Sequence, residues 1–224
     1  MGSRRLSAVV FDLDDTLYPE EQFIFSGFRQ VARRLECRGI VRSDFEARLV
    51  EVYRAGVRGK IFDEALARAG ITPEAGLIAE MLEVYRSHLP DIQPYPDARR
   101  ALEELHGRYK LGLLSDGYTG VQRNKIVALG LMDCFQAVVL SDELGLGCWK
   151  PSPAPYRKML AALAVPAGDA LYVADNPAKD FVAARKAGWW TVQVRRPEGQ
   201  YHQLVPQPGY EAHFVIDSLL ELFS

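Results

Sequence analysis

The sequence predicts an α/β fold, a doubly wound parallel sheet with an inserted α-helical domain, and three observations predict it. From residue 96 onward short apolar runs alternate with amphipathic segments, the pattern of a parallel sheet covered by helices on both faces. One further apolar run, Ala8-Val9-Val10-Phe11, stands apart near the N-terminus and reads as a buried strand. Between them, residues 21–90 carry only helical periodicity: Phe28, Val31 and Leu35, then Phe45, Leu49 and Val52. The chain therefore divides into a sheet domain, residues 1–17 with 93–224, and a helical insert, residues 18–92.

Along the sheet domain each element follows from its residues. Pro96-Asp97 opens a helix to about Arg108, because proline suits a first helical turn. Leu111–Leu114 is a strand running into Ser115-Asp116-Gly117. A helix over 119–129 is stopped by Gly130, and a strand follows at Ala137–Leu140. Ser152 to Ala164 reads as a helix, and Ala170–Ala174 as a strand ending at Asp175. Pro177–Lys186 is expected to be helical up to Gly188, Thr191–Val194 a strand, and a last helix is expected from Asp217. The segment Arg195–Gly209 is polar and rich in proline and glycine, so it reads as a surface loop. Glycines and prolines cut the insert into about four helices.

Composition narrows the function classes. The chain has 224 residues, 48% of them hydrophobic, enough for a sizeable core. A formal net charge of −2 provides no basic face for nucleic acid. Three cysteines, Cys37, Cys134 and Cys148, form no C-x-x-C pair and fit free thiols in a reducing compartment. Cys148 lies two residues before Lys150, but no histidine shares a motif with it. The four histidines have no metal-ligand spacing. The apolar run after Arg4-Arg5 ends at Asp12, short of a signal-peptide core, and no stretch reaches 18 apolar residues. A cytoplasmic protein without membrane or nucleic-acid partners, monomeric or homodimeric, is expected.

The chemistry concentrates at predicted strand ends. Asp12 and Asp14 follow the first strand, and alternate residues of an extended chain project to one side. In open α/β sheets, sites form beyond the carboxyl ends of strands. Ser115 follows the strand at 111–114, Lys150 opens Lys150-Pro151-Ser152-Pro153, and Asp175 and Asp180 flank Asn176-Pro177-Ala178-Lys179. Each has an ordinary alternative, as a helix cap or a surface charge. Together they gather acids, a hydroxyl and a lysine along one sheet edge.

These segments resemble, in order, the four motifs of the haloacid dehalogenase superfamily: Asp12-Leu13-Asp14-Asp15-Thr16, Leu113-Leu114-Ser115-Asp116-Gly117, Lys150, and Asp175 through Asp180. The resemblance spans about residues 7–194 and implies a Rossmann-like core with a C1-type helical cap. Ala174 stands where the family often has glycine, which alanine can replace if its φ is negative. By resemblance Asp12 is the nucleophile and Asp14 the general acid. Asp12, the backbone carbonyl of Asp14 and Asp175 are the Mg²⁺ ligands. Ser115, Asp116, Gly117 and Lys150 hold the phosphoryl group, with Asp180 and Thr16 in support. The charge problem agrees: a carboxylate approaching a phosphate dianion meets roughly 8 kcal/mol of repulsion at about 4 Å and an effective dielectric near 20. A hard dication with oxygen ligands offsets it.

The implied activity is Mg²⁺-dependent hydrolysis of a small soluble phosphomonoester, such as a nucleotide or sugar phosphate, through a phospho-aspartate. A phosphomutase shares the nucleophile and acid, and a non-catalytic binding protein would have little use for so costly a cluster of acids. The family's 2-haloacid dehalogenases lack an acid two residues after the nucleophile, so Asp14 favours phosphate chemistry. A phosphonate-cleaving reading needs a lysine from the cap, and Lys60 is the single candidate between residues 17 and 95. Tyr18, Phe25 and Phe28 either line a substrate pocket or form the core of the insert.

Overall fold

A computed structural model describes residues 6–223. The chain forms two compact units, one of residues up to Glu20 together with those from Gln93 on, the other Glu21–Ile92. The first unit holds a sheet of six parallel strands in the order β3-β2-β1-β4-β5-β6. These are β1 (Ala8–Phe11), β2 (Lys110–Ser115), β3 (Ala137–Leu140), β4 (Ala170–Ala174), β5 (Trp190–Val194) and β6 (Phe214–Ile216). Strand β1 is central and buried along its length, as its uninterrupted apolar run requires. The order reverses on either side of β1, which leaves a crevice at the carboxyl edge.

Helices α1 (Glu20–Glu36), α2 (Arg42–Arg54), α3 (Ile61–Arg68) and α4 (Leu77–Ser87) follow β1; α5 (Pro96–Leu105), α6 (Thr119–Ala128), α7 (Ala154–Leu163) and α8 (Phe181–Lys186) belong to the sheet unit. A core of Val10, Leu114, Tyr156, Met159, Tyr172, Phe181 and Trp189 packs on the sheet. Gly112 in β2 allows that packing, because a Cβ there would lie 2.7 Å from the Met159 sulfur. The second unit has its own core, built on Phe28, Val31, Leu35, Phe45, Leu49, Val52, Phe62 and Met81. Its helical stripes are the ones that periodicity marks.

Two expectations are corrected, and one strand was not foreseen. The helix expected from Pro177 begins at Phe181. The Asn176 side chain accepts from the Ala178 amide at 2.9 Å and Asp180 accepts from the Asn176 amide at 3.1 Å, so these local bonds hold a turn in place of a first helical turn. The helix expected from Asp217 is a 3₁₀ turn, Leu219–Phe223, tied down by the Leu219 amide on Asp97 at 2.9 Å. After the loop that begins at Arg195 comes the short edge strand β6, too brief to show alternation.

One buried cation binds that loop to the segment after β1. Arg196 donates to Asp97 at 2.7 Å and to the Thr16 carbonyl at 2.8 Å, and its guanidinium lies 4.0 Å from the Tyr95 ring centre. Arg196→Ala is expected to destabilise the protein by about 2–4 kcal/mol in urea unfolding, with Arg196→Lys recovering only part of it. A loss under about 0.5 kcal/mol would equate the contact with an ordinary surface pair.

Candidate active site

The register of the sheet assembles the site. Phe11 pairs with Leu113 and Val173, so the residues leaving β1, β2 and β4 meet at one edge. The amide of Asp12 continues the ladder onto the Val173 carbonyl at 2.9 Å. The chain then turns sharply. Leu17 donates back to the Leu13 carbonyl at 3.0 Å, and Asp15 adopts a left-handed conformation at φ 49°. Aspartate tolerates that region better than most residues. Its carboxylate accepts from the amides of Glu20 at 2.8 Å and Gln200 at 2.9 Å, which fixes the turn. Ala174 keeps a negative φ, since Asp15 and Ala164 are the described non-glycine residues with a positive one.

Lys150 is the hub. Its side chain is fully buried, and its Nζ lies 2.6 Å from Asp12 Oδ1, 2.8 Å from Asp180 Oδ1 and 2.9 Å from the Tyr172 hydroxyl. Asp116 accepts from the Lys150 amide at 3.1 Å and from Lys179 Nζ at 3.1 Å. Asp175 receives the Thr16 hydroxyl at 3.4 Å, and Gln193 donates to its backbone carbonyl at 3.1 Å. Asp12, Asp175 and Asp180 are all buried and place carboxylate oxygens within 4.8 Å of one another.

The electrostatics follow from that crowding. Burial pushes the Asp12 carboxyl up to about 7, with Lys150 pulling against it and Asp180 adding to it. Burial, then the charges of Asp180 and Asp12, raise Asp175 well above the ordinary carboxylate range. Burial disfavours the Lys150 ammonium, but Asp12, Asp180 and Asp116 overcome it and lift the group well above its usual value. Excess negative charge is therefore focused between Asp12 and Asp175, a donor set of hard oxygens that suits a small dication.

Asp14 has a different environment. Its Oδ1 accepts from Lys125 Nζ at 2.7 Å and from the Tyr18 hydroxyl, and its Oδ2 accepts from Gln122 Nε2 at 3.0 Å. Burial works upward on Asp14, but the Lys125 charge and these hydrogen bonds leave it below its ordinary value. Two carboxylates two residues apart are thus pushed in opposite directions. Asp12 is the more readily protonated of the two.

A family model described as "Haloacid dehalogenase-like hydrolase" matches residues 9–194. The chain belongs to that family. A glyceraldehyde 3-phosphate phosphatase of Methanopyrus kandleri is 33% identical, over 97% of this chain and 95% of the relative. A phosphoserine phosphatase of Thermus thermophilus is 38% identical, over 63% of this chain and 57% of the relative. Among solved structures, a HAD phosphatase from Thermococcus onnurineus is 28% identical with a TM-score of 0.63, covering 97% of this chain and 96% of that one.

Asp12, Thr16, Ser115, Lys150, Asp175 and Asp180, picked out by their likeness to the family, are all buried and gather at this edge with half-buried Asp116. Asp14 is half-buried beside them, and half-buried Gly117 has a φ of 121°. Tyr18 is fully buried in the sheet unit with its hydroxyl on Asp14. Phe28 lies in the core of the helical unit, and half-buried Phe25 packs on Phe28 and Tyr53. Cys148 donates to the Leu144 carbonyl at 3.3 Å. Sequence reasoning missed Gln122, Lys125, Tyr172, Lys179 and Gln193. The available signal was polarity in the wrong place: Gln122 and Lys125 lie a turn apart among Val121 and Ile126, and Tyr172 and Gln193 interrupt buried strands.

Proposed function

We propose that this hydrolase is a phosphatase of small soluble phosphomonoesters, with Asp12 as nucleophile and Asp14 as general acid–base. The observation that carries the reading is the pair of acids on one strand end, one against Lys150, the other against Lys125. Asp12 attacks phosphorus, the ester P–O bond breaks, and the leaving oxygen takes a proton from Asp14. Water then attacks the phospho-aspartate, Asp14 accepts the water proton, and phosphate leaves with Asp12 restored. Lys150 orients Asp12 and places a positive charge by the transferring group. Ser115 and the amides after it are suited to a phosphate oxygen.

Asp12, Asp175 and the Asp14 carbonyl are the proposed Mg²⁺ ligands, and the buried surplus of carboxylate charge fits the ion. Bound there, Mg²⁺ would offset the repulsion between the carboxylate and the substrate dianion. The unit Glu21–Ile92 is proposed as a cap that selects the substrate, and the names of the relatives make three-carbon phosphates the first compounds to assay. Phosphate release from such a panel with Mg²⁺ tests the reading, and accumulation of an isomer in its place would indicate a mutase.

Metal dependence carries a pH signature. In metal-free protein the Asp12 carboxyl, raised to about 7, binds its proton more tightly folded than unfolded. Stability is therefore expected to fall as pH rises from about 4 to about 7 and to level off above. Chelation should abolish turnover, and millimolar Mg²⁺ should restore it. Mg²⁺ should also raise the melting temperature more at about pH 8 than at about pH 5, because protons compete for its ligands. Full activity after exhaustive chelation would refute the metal assignment.

A further inference from the structure

Asp14 is gripped from three directions. Lys125 and the Tyr18 hydroxyl meet at Oδ1, and Gln122 reaches Oδ2. Lys125 is 3% exposed and Tyr18 is fully buried, with the ammonium 5.9 Å from the Tyr18 ring centre. Burying a lysine is costly unless a partner compensates it. The inward face of α6 needs no charge for packing, since Val121 and Ile126 already supply apolar contact. Gln122 and Lys125 are a helical turn apart, so both side chains reach the same neighbour.

Gln122 also reaches Ser115. Its Nε2 lies 2.6 Å from Ser115 Oγ and 3.0 Å from Asp14 Oδ2, and an amide has one hydrogen for each. Gly117 leaves the room for it: at φ 121° it carries no Cβ, and one there would lie 3.1 Å from Gln122 Cδ. The amide therefore joins the acid–base carboxylate to the hydroxyl proposed for the phosphate.

We propose that Lys125, together with Tyr18 and Gln122, is a positioning residue that fixes the carboxylate of Asp14 for proton transfer to the leaving group. This rests on the reading of Asp14 as the general acid–base. A carboxylate has about four acceptor positions. Lys125 and Tyr18 fill those of Oδ1, whereas Oδ2 has one taken by Gln122 and keeps one for the travelling proton. A loosened carboxylate would still occupy the site, but out of line with the ester oxygen, and displacements of about 1 Å can lower rates by about 10²-fold.

The test compares two esters on the full chain with Mg²⁺. Glycerol 2-phosphate leaves as an alkoxide and needs a proton, whereas p-nitrophenolate leaves without one. Because kcat/KM reports only steps through departure of the leaving group, it isolates the acid role from the later attack of water. Lys125→Met is expected to lower kcat/KM for glycerol 2-phosphate by about 30–100-fold and for p-nitrophenyl phosphate by less than about 5-fold. Asp14→Asn should show the same selectivity, more strongly. Adding Lys125→Met to Asp14→Asn should change either ester by less than about 2-fold, because the lysine acts through that carboxylate. Tyr18→Phe removes one hydroxyl, keeps the ring, and should show a weaker form of the same selectivity; it decides the matter if Lys125→Met does not fold. Equal losses on both esters for Lys125→Met and Tyr18→Phe, beside a selective Asp14→Asn, would make the clamp merely structural and overturn the proposal. A non-selective Asp14→Asn would instead overturn the acid–base reading, and the clamp with it.

Discussion

Asp12→Asn is expected to lower turnover by about 10⁴-fold or more and to leave the protein at least as stable as before. The amide cannot form the phospho-aspartate, so trapping with acid should recover no phosphoenzyme. Stability should hold because the wild-type charge is strained. Asp12 is buried beside Asp175 and Asp180, and its carboxyl is pushed up to about 7. A neutral isostere removes that repulsion. Lys150 loses its 2.6 Å partner but keeps Asp180 at 2.8 Å and the Tyr172 hydroxyl at 2.9 Å. A thermal melt near neutral pH in chelator therefore separates chemistry from folding. Residual hydrolysis above about 1% of wild type in a well-folded variant would remove Asp12 as nucleophile.

The parts of this site that could be read from the sequence are those whose residue types conflict with burial. Asp12 and Asp14 end an apolar strand, and no packing rule puts two acids there. The register of a parallel sheet then carries them to the same edge as Ser115 and Asp175. The strands β1, β3 and β4 were legible because their apolar runs are short and bounded. Tertiary bonds to side chains were not. The turn at 177–180 looks helical by composition, and the Asn176 and Asp180 side chains on nearby amides explain why the helix starts at Phe181. Tyr18 illustrates the same limit. An aromatic after the loop that follows β1 reads as pocket or, more readily, as core, and the structure fixes its place by a hydroxyl aimed at Asp14. Lys125 was obscured by the habit of reading helical lysines as solvent-facing, although its neighbours a turn away are buried.

Lys150→Met should be the most destabilising change in the active site. The lysine side chain is fully buried and sits between Asp12 and Asp180, themselves nearly or fully buried. Methionine fills similar volume but leaves two carboxylates without their cation, and breaking a buried pair from one side costs about 3–5 kcal/mol. For a chain of this size that corresponds to a fall in melting temperature of roughly 10 °C in chelator near neutral pH. The sign of the pH dependence follows from the acids left behind. Asp12, already pushed up to about 7 with the lysine in place, would be held higher without it, so the variant destabilises as pH rises from about 4 and recovers as that carboxyl protonates on acidification. Lys150→Arg separates charge from shape. It should restore part of the lost stability, because charge returns, but little activity, because a planar fork cannot replace a compact ammonium between Asp12 Oδ1, Asp180 Oδ1 and the Tyr172 hydroxyl. A Lys150→Met protein that melts within about 2 °C of wild type from pH 5 to pH 8 would mean that Asp12 and Asp180 do not depend on this cation, and the charge arrangement argued for the nucleophile would fall with it.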